Sequence, residues 1–398
     1  GKASRKPDPD KYEHAHDFCD VLVVGSGPAG IAAALKAAEH KLDVILVEQD
    51  SELGGSELNE SAAKVEQNVL ALKKAGVKIL KRTTAFGLYD HGVVGLLERV
   101  TDHQSLPSEN DPRQRFWMVR SKHIILATGA IERPIAFGNN DRPGVMSASA
   151  AHTYLNRFAI LPGKSIVVCT NNDSAYLSAI ELSKAGAQVK LIDARSKIKD
   201  SLSGEALQNG VSLQMNSAPL KVNGSRSVKS LEIAIAKDNK WQKGNTEYCD
   251  LVIVSGGWSP VVHLLSHRGI RPIWNEQNAC FVPNKYKESI SVAGSASGIW
   301  NKDNCIASGI AAGLKAAESL GIKTKSYSFP EVGGWSNPIR PIYEVKIPHY
   351  KTKSFVDFQH DVTSEDVRLA HREGFESVEH LKRYTTLGMA NDQGKMGN

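Results

Sequence analysis

Residues 21–30, VLVVGSGPAG, constrain the fold of this chain more than any other stretch. Val21, Leu22, Val23 and Val24 form a continuous apolar run and read as a buried strand. Gly25, Gly27 and Gly30 follow in the spacing G-x-G-x-x-G, with Pro28 and Ala29 between, and IAAALKAA at 31–38 reads as a helix. In that spacing the first glycine permits a tight strand-to-helix turn. The second lets a pyrophosphate approach bare backbone, and the third lets helix and strand pack closely. The helix N-terminus adds free N–H groups and a positive dipole end. A second strand reads at 44–47 and ends at Glu48, 18 residues after Gly30, followed by Gln49. A carboxylate there can accept hydrogen bonds from an adenosine ribose. A turn that merely needs glycine leaves Glu48 unexplained, so the stretch predicts a dinucleotide site. Gly54, Gly55 and Ser56 form a corner of the kind that covers a bound pyrophosphate; an ordinary loop fits the same residues.

The remaining composition bounds the alternatives. A length of 398 residues allows two or three domains with sizeable cores. The net charge of +6 comes from basic residues scattered along the chain, with no Lys/Arg block to suggest nucleic acid. No apolar run is long enough to span a membrane, and no signal peptide is visible. Cys19, Cys169, Cys249, Cys280 and Cys305 lie far apart with no C-x-x-C, which argues against a zinc site or a redox disulfide. A reduced, cytoplasmic compartment is expected. His14 and His16 sit in a polar stretch, 1–17, that reads as a linker. His263 and His267 are four apart in HLLSH but lack a third ligand.

Further along, 60–75 reads as helix, 77–80 as strand and 84–120 as hairpin-like strands. A strand at 123–126 runs into ATGA at 127–130, and NNDRPGVM at 139–146 is a turn-rich connector. Residues 163–195 repeat the opening strand–helix–strand pattern and end at Asp193. Thr170, Asn172 and Ala175 stand where the glycines would fall. Side chains at the first two positions would crowd a pyrophosphate, so the fold is expected there without a second dinucleotide. Residues 205–250 read as strand-like pieces, 250–255 and 290–295 as strands running into turns, and 304–320 as a small-residue helix. Residues 326–350, with a Gly333-Gly334-Trp335 turn, read as an extended linker. The tail shows a capping-box spacing at Thr363 and Asp366, a helix at 364–373, and another from Ser377 through Tyr384.

The segments ATGAIERP (127–134), FGNNDRPGVM (137–146), TNND (170–173), VDFQHDVT (356–363) and HLKRYTTLGMANDQGK (380–395) resemble the α subunit of heterotetrameric sarcosine oxidase. The resemblance runs over nearly the whole chain. It implies an α/β chain with two Rossmann-like dinucleotide-binding domains of the glutathione-reductase type, plus a small helical C-terminal module. The first domain would be discontinuous, 18–160 and 286–325, and the second, degenerate one would span 161–285. A linker at 326–355 would precede the module at 356–398. The same resemblance puts Thr128, Gly129, Arg133, Gly294 and Ser295 in the first site. Flavin-binding members carry Asp after the glycine at 294; Ser295 stands there, so NAD is expected rather than FAD. The tail also resembles small iron–sulfur modules such as the bacterioferritin-associated ferredoxin. Asp357, Gln359, Asp392 and Gly397 occupy the cysteine positions, and without thiolates the scaffold is expected to lack a cluster.

In the sarcosine oxidase family this module helps to enclose an FMN at a subunit interface. The resemblance assigns that edge to Arg383, Thr385, Thr386, Gln393 and Lys395, whose donors suit anionic oxygens; a solvated helix end fits them as well. The family's β subunit holds FAD and oxidises sarcosine, electrons pass to FMN, and oxygen is reduced to hydrogen peroxide. The expected partners are therefore an FAD-containing amine oxidase β subunit and smaller subunits, with no nucleic acid or membrane. Residues 1–398 would correspond to the central part of an α subunit, between a ferredoxin-like region and a folate-handling domain. No folate chemistry and no catalytic residue are expected here, and the isolated chain should be inactive. Three other readings stand beside this one. They are a stand-alone NAD(P)H-dependent FAD oxidoreductase, a related subunit acting on another N-substituted amino acid, and a scaffold whose NAD is purely structural.

Overall fold

The structure is a computed structural model that describes residues 6–108, 110–238, 240–286, 289–324 and 336–395. The chain divides into two units. One comprises Gly1–Ala130, Pro260–Asn275 and Cys280–Gly334; the other comprises Ile131–Ser259, Glu276–Ala279 and Trp335–Asn398.

The first unit is built on β1 (Tyr12–Val24), α1 (Pro28–Glu39), β2 (Val44–Val47), α2 (Ala62–Lys74), β3 (Lys78–Leu80), β4 (Thr83–Leu88), β5 (Val93–Arg99) and β6 (Gln114–Leu126). The sheet order is β3-β2-β1-β6-β5-β4, and the end of β6 also pairs in parallel with Ile290–Val292. The VLVV run is apolar throughout because both faces of a parallel sheet are covered. Val21 and Val23 join a core with Ala33, Ala34 and Ala312, while Leu22 and Val24 join one with Leu88, Val94 and Leu96. The helix Lys302–Ser319 returns against α1 through two glycines. A Cβ on Gly309 would strike the carbonyl oxygen of Ala29, and one on Gly313 would lie 2.7 Å from that of Ala33.

The second unit repeats the theme with a parallel sheet of Ser212–Gln214, Gln188–Asp193, Ser165–Thr170, Leu251–Ser255 and Val145–Ser147, in that order. An antiparallel meander, Ser217–Asn223, Ser230–Lys237 and Lys240–Tyr248, covers one face. The helices Ala148–Phe158 and Ser174–Lys184 cover the other, around the fully buried Tyr176.

Several expectations change. Residues 12–17 are strand, not linker, because each pairs in parallel with Gln114–Val119 of β6; residues 1–5 lie outside the described residues. The start of the 205–250 stretch is helical, Asp200–Gln208, with Ala206 buried on the sheet. The units also divide the chain differently from the sequence boundaries. Residues 131–160 join the second unit, because Val145–Ser147 pairs in parallel with Leu251–Ser255 and Ala148 and Ala151 pack on that sheet. Residues 260–275 and 280–285 join the first, where Leu265 is buried beside Leu22 and Leu88.

The described part of the stretch 326–355, residues 336–355, is no free linker. Residues 325–335, including the Gly333-Gly334-Trp335 turn, lie outside the described residues. Beyond them Ile342 and Val345 are buried in the second unit's core, and Val345 N–H donates to the Ala136 carbonyl at 2.9 Å. The FGNN segment then grips the tail. Asn139 N–H donates to the Lys353 carbonyl at 2.7 Å, and the Asn140 amide pairs with both backbone groups of Phe355 at 2.8 Å. The helices Ser364–Arg372 and Val378–Thr385 follow, the first closed by the expected capping box of Thr363 and Asp366.

Candidate functional site

The three glycines of the opening motif do different work. Gly25 has φ +98°, and a Cβ there would drive into the Ala127 carbonyl; one on Gly30 would drive into the Gly25 carbonyl. Gly27 has nothing within 4 Å of its Cβ position. Two glycines are thus demanded by the protein's own packing, and the third keeps open space at the helix start. Gly27 caps α1 without a side-chain bond, Pro28 occupies the first turn, and no acid stands there to repel an anion. The second corner folds onto the first: Gly54 N–H donates to the Ser26 carbonyl at 3.0 Å, and a Cβ on Gly55 would lie 3.0 Å from Gly27 Cα.

Glu48 is only 9% exposed and fastens this loop. Its Oε2 accepts from Ser26 N–H at 2.9 Å and Ser26 Oγ at 2.6 Å, and its Oε1 accepts from Asp50 N–H at 2.9 Å. A carboxylate offers about four acceptor positions, so Oε1 retains capacity for one more donor. Ser26, a spacer residue in the motif, gave no signal of this role. Gln49 and Ser56 are exposed, and the Gln49 carbonyl accepts from Arg99. Glu57, unnoticed in the sequence, is buried beside Lys302 and Lys64 at 2.9 and 3.5 Å.

The far wall comes from the ends of β6 and Ile290–Val292. Thr128 Oγ1 donates to the Val261 carbonyl at 2.7 Å; Gly129, φ +77°, faces Ser295 Oγ at 4.0 Å from its Cβ position. Gly294, φ +70°, would place a Cβ 2.8 Å from that of Ala29. Glycines 25–30, the 54–55 corner, 128–129 and 294–295 therefore gather at the carboxyl ends of parallel strands, where open α/β sheets bind ligands. Arg133 belongs to the second unit, where its guanidinium donates to the carbonyls of Ala279 at 2.6 Å and Gly256 at 3.4 Å.

The corresponding crevice of the second unit is filled from within. Asn172 donates to Ser255 Oγ at 3.0 Å and accepts from Ser174, while Asn171 donates to the Gly256 and Arg340 carbonyls. Asp193, in the place Glu48 holds in the first unit, is fully buried and accepts from Arg195 and from the Tyr176 hydroxyl at 2.8 Å. Burial opposes the Arg195 charge, but Asp193 and Asp173 outweigh it and hold the guanidinium above its ordinary range. A short strap then crosses the strand ends. Asn337 donates to Asp173 and accepts from Lys199 N–H at 2.7 Å; Arg340 donates to the Ala194 carbonyl at 2.6 Å.

No metal centre emerges from the histidine pairs. His267 Nδ1 lies 2.9 Å from the Leu88 carbonyl oxygen, and the described residues contain no group of three or more His, Cys, Asp or Glu arranged for a metal ion. In the tail, Asp357, Gln359 and Asp392 present oxygen and amide groups where an iron–sulfur cluster needs thiolates, so a cluster does not fit; Gly397 lies outside the described residues. Arg383, Thr386, Gln393 and Lys395 are exposed on the end of the last helix and the loop that follows, and Thr385 is half-buried. Arg383 pairs with Glu379 at 2.7 Å, and the Thr385 hydroxyl donates to the Leu381 carbonyl at 2.8 Å.

With this geometry in place, comparison with known proteins is informative. Residues 19–298 match the pyridine nucleotide-disulphide oxidoreductase family model, and residues 351–398 match the sarcosine oxidase A3 domain. The chain is 37% identical over 409 residues to sarcosine oxidase subunit alpha of Rhizobium meliloti (strain 1021), covering 100% of this chain and 40% of that one. It is 36% identical to the same subunit of Corynebacterium sp. (strain P-1), covering 98% and 42%. The chain thus spans about two fifths of the length of these relatives. Among solved structures, the L-proline dehydrogenase from P. horikoshii shares the fold with TM-score 0.69 at 22% identity, covering 96% of this chain and 72% of that one.

Proposed function

The chain belongs to the pyridine nucleotide-disulphide oxidoreductase family, and along its length it is similar to sarcosine oxidase α subunits; from that premise we propose that it is the NAD-binding, FMN-facing portion of a multi-subunit flavin-dependent sarcosine oxidase. One observation carries the reading. The first unit keeps an open cradle at Gly27, whereas the second unit fills its crevice with Asn171, Asn172 and the strap at Asn337 and Arg340. A stand-alone reductase needs two competent nucleotide sites; among the described residues only the first unit keeps an open cradle.

In that cradle the Gly27 backbone and the α1 N-terminus would hold a pyrophosphate, and Glu48 Oε1 would accept from the adenosine ribose. Ser295, where flavin-binding relatives carry an acid, supports NAD over FAD. Bound flavin supplies the electron-transfer chemistry of such an assembly, while the protein binds and orients. Here Thr386, Gln393 and Lys395 would present donors to FMN from one side, against an FAD-containing partner that oxidises the amine at its CH–NH bond and yields hydrogen peroxide. In this reading the chain alone, without its flavin-bearing partner, is inactive.

The test is to denature the purified chain and identify what it releases. NAD without FAD is the expected result; stoichiometric FAD would overturn the assignment. Glu48→Ala should lower NAD occupancy, and unchanged occupancy would remove Glu48 from the ribose site. Co-expression with an FAD-dependent amine oxidase subunit should yield a complex containing FMN, and its activity on sarcosine against other N-alkyl amino acids would name the substrate.

A further inference from the structure

The loop at 386–395 has an unusual means of support. Thr386, Gly388, Gln393 and Gly394 all take positive φ, from +51° to +76°, so the loop is not a regular element that holds itself. Its internal bonds are short-range, such as Met389 N–H to Thr386 and Gln393 N–H to Ala390. Among the described residues, the hydrogen bonds that reach it from beyond the preceding helix all start at one turn, 357–360. Asp357 Oδ2 accepts from Gly388 N–H at 3.1 Å, Gln359 Oε1 accepts from Asn391 N–H at 3.1 Å, and His360 Nδ1 lies 3.0 Å from the Thr386 carbonyl oxygen. The other oxygen of Asp357 accepts from the N–H groups of Gln359 at 2.9 Å and His360 at 3.0 Å. One carboxylate, 5% exposed, therefore shapes its own turn with one oxygen and grips the loop with the other.

We infer that Asp357, assisted by Gln359, is the positioning residue of the 386–395 loop, and that these two side chains hold the loop in the shape it presents to a flavin. The second half of this inference rests on the flavin-facing reading proposed above. The first half stands on the geometry alone. Bonds from backbone N–H groups to an ionised carboxylate are stronger than neutral ones, and a buried N–H left without its acceptor is costly. Burial opposes ionisation of Asp357, and the three N–H donors outweigh it, keeping the carboxyl below its ordinary range.

The experiment uses the complete complex of this chain with its partner subunits and reads two quantities. Amide hydrogen exchange across 357–360 and 386–395 reports the bridge; FMN per complex and its visible spectrum report the flavin. Asp357→Asn keeps one acceptor oxygen for the turn but turns an NH2 toward Gly388. It should leave Gln359 and His360 protected, speed exchange at Gly388 roughly ten- to hundredfold, and lower FMN retention about tenfold or more, with NAD content unchanged. Gln359→Ala, an exposed position, should loosen Asn391 alone and serves if Asp357 variants fail to fold. Unchanged exchange at Gly388 and Asn391 in these variants would overturn the bridge. Faster exchange with FMN fully retained would overturn the positioning role. A wild-type complex without FMN would instead overturn the flavin-facing reading and leave the bridge standing.

Discussion

At the scale of single residues, the glycines of the opening motif are separable by experiment. A methyl on Gly27 meets nothing within 4 Å and its backbone is not left-handed, so Gly27→Ala should leave stability within about 0.5 kcal/mol of wild type. The same methyl occupies the cradle, so nucleotide occupancy should fall by roughly tenfold or more, as measured on the released ligand. Gly25→Ala forces a left-handed residue against the Ala127 carbonyl and should unfold the first unit, read as loss of the cooperative thermal transition. Equal effects of the two substitutions would mean that the open space at Gly27 has no use. The glycines and Glu48 were legible in the sequence because their roles depend on neighbours a few residues away or one strand over. Ser26 was not, because its bonds to Glu48 appear only when β1 and β2 lie side by side.

At the scale of elements, the crossing of α1 with Lys302–Ser319 controls the nucleotide loop. Gly309 sits against Ala29 in the first turn of α1, and Gly313 sits one turn on against Ala33. A side chain at 309 must push that first turn away. Gly309→Ala should therefore destabilise the first unit by about 2–4 kcal/mol and reduce nucleotide content, although no atom of Gly309 belongs to the loop. Thermal unfolding with ligand content measured on the same sample checks this; retained stability and content would show that the helices slide apart freely. The sequence showed a small-residue helix here but could not say which helix it met. The second strand–helix–strand unit was legible for the same local reasons as the first, down to its missing glycines. What fills its crevice was not, because Asn337 and Arg340 arrive from more than 140 residues away in sequence.

At the scale of the whole molecule, the stretch read as a linker is part of the second unit's structure. Tyr350 donates its hydroxyl to Glu232 at 2.6 Å, and Lys243 pairs with the same oxygen at 2.7 Å, pinning the returning chain to the meander. Burial opposes ionisation of Glu232, but the bonds from Lys243, Tyr350 and Asn223 outweigh it and bring its pKa to about 2. A carboxylate depressed in the folded state contributes stability above its unfolded pKa near 4.5 and loses it as pH falls through the folded value. The second unit should thus weaken between pH 4.5 and 2, and Glu232→Gln should flatten that part of the acid-unfolding curve; an unaltered curve would deny Glu232 the role.

The sequence by itself determined the two Rossmann-like patterns, the intact first glycine motif, the degenerate second one and the capped tail helices, because each is written in residues that meet within one supersecondary unit. Only the tertiary structure decided that the Arg133 guanidinium bonds to carbonyls of the second unit, that 12–17 is strand, and that the 336–350 stretch is packed core and strap. Those outcomes depend on which distant backbone groups a side chain finds when the sheets close. For Arg133 they are the carbonyls of Gly256 and Ala279, and no local spacing encodes them.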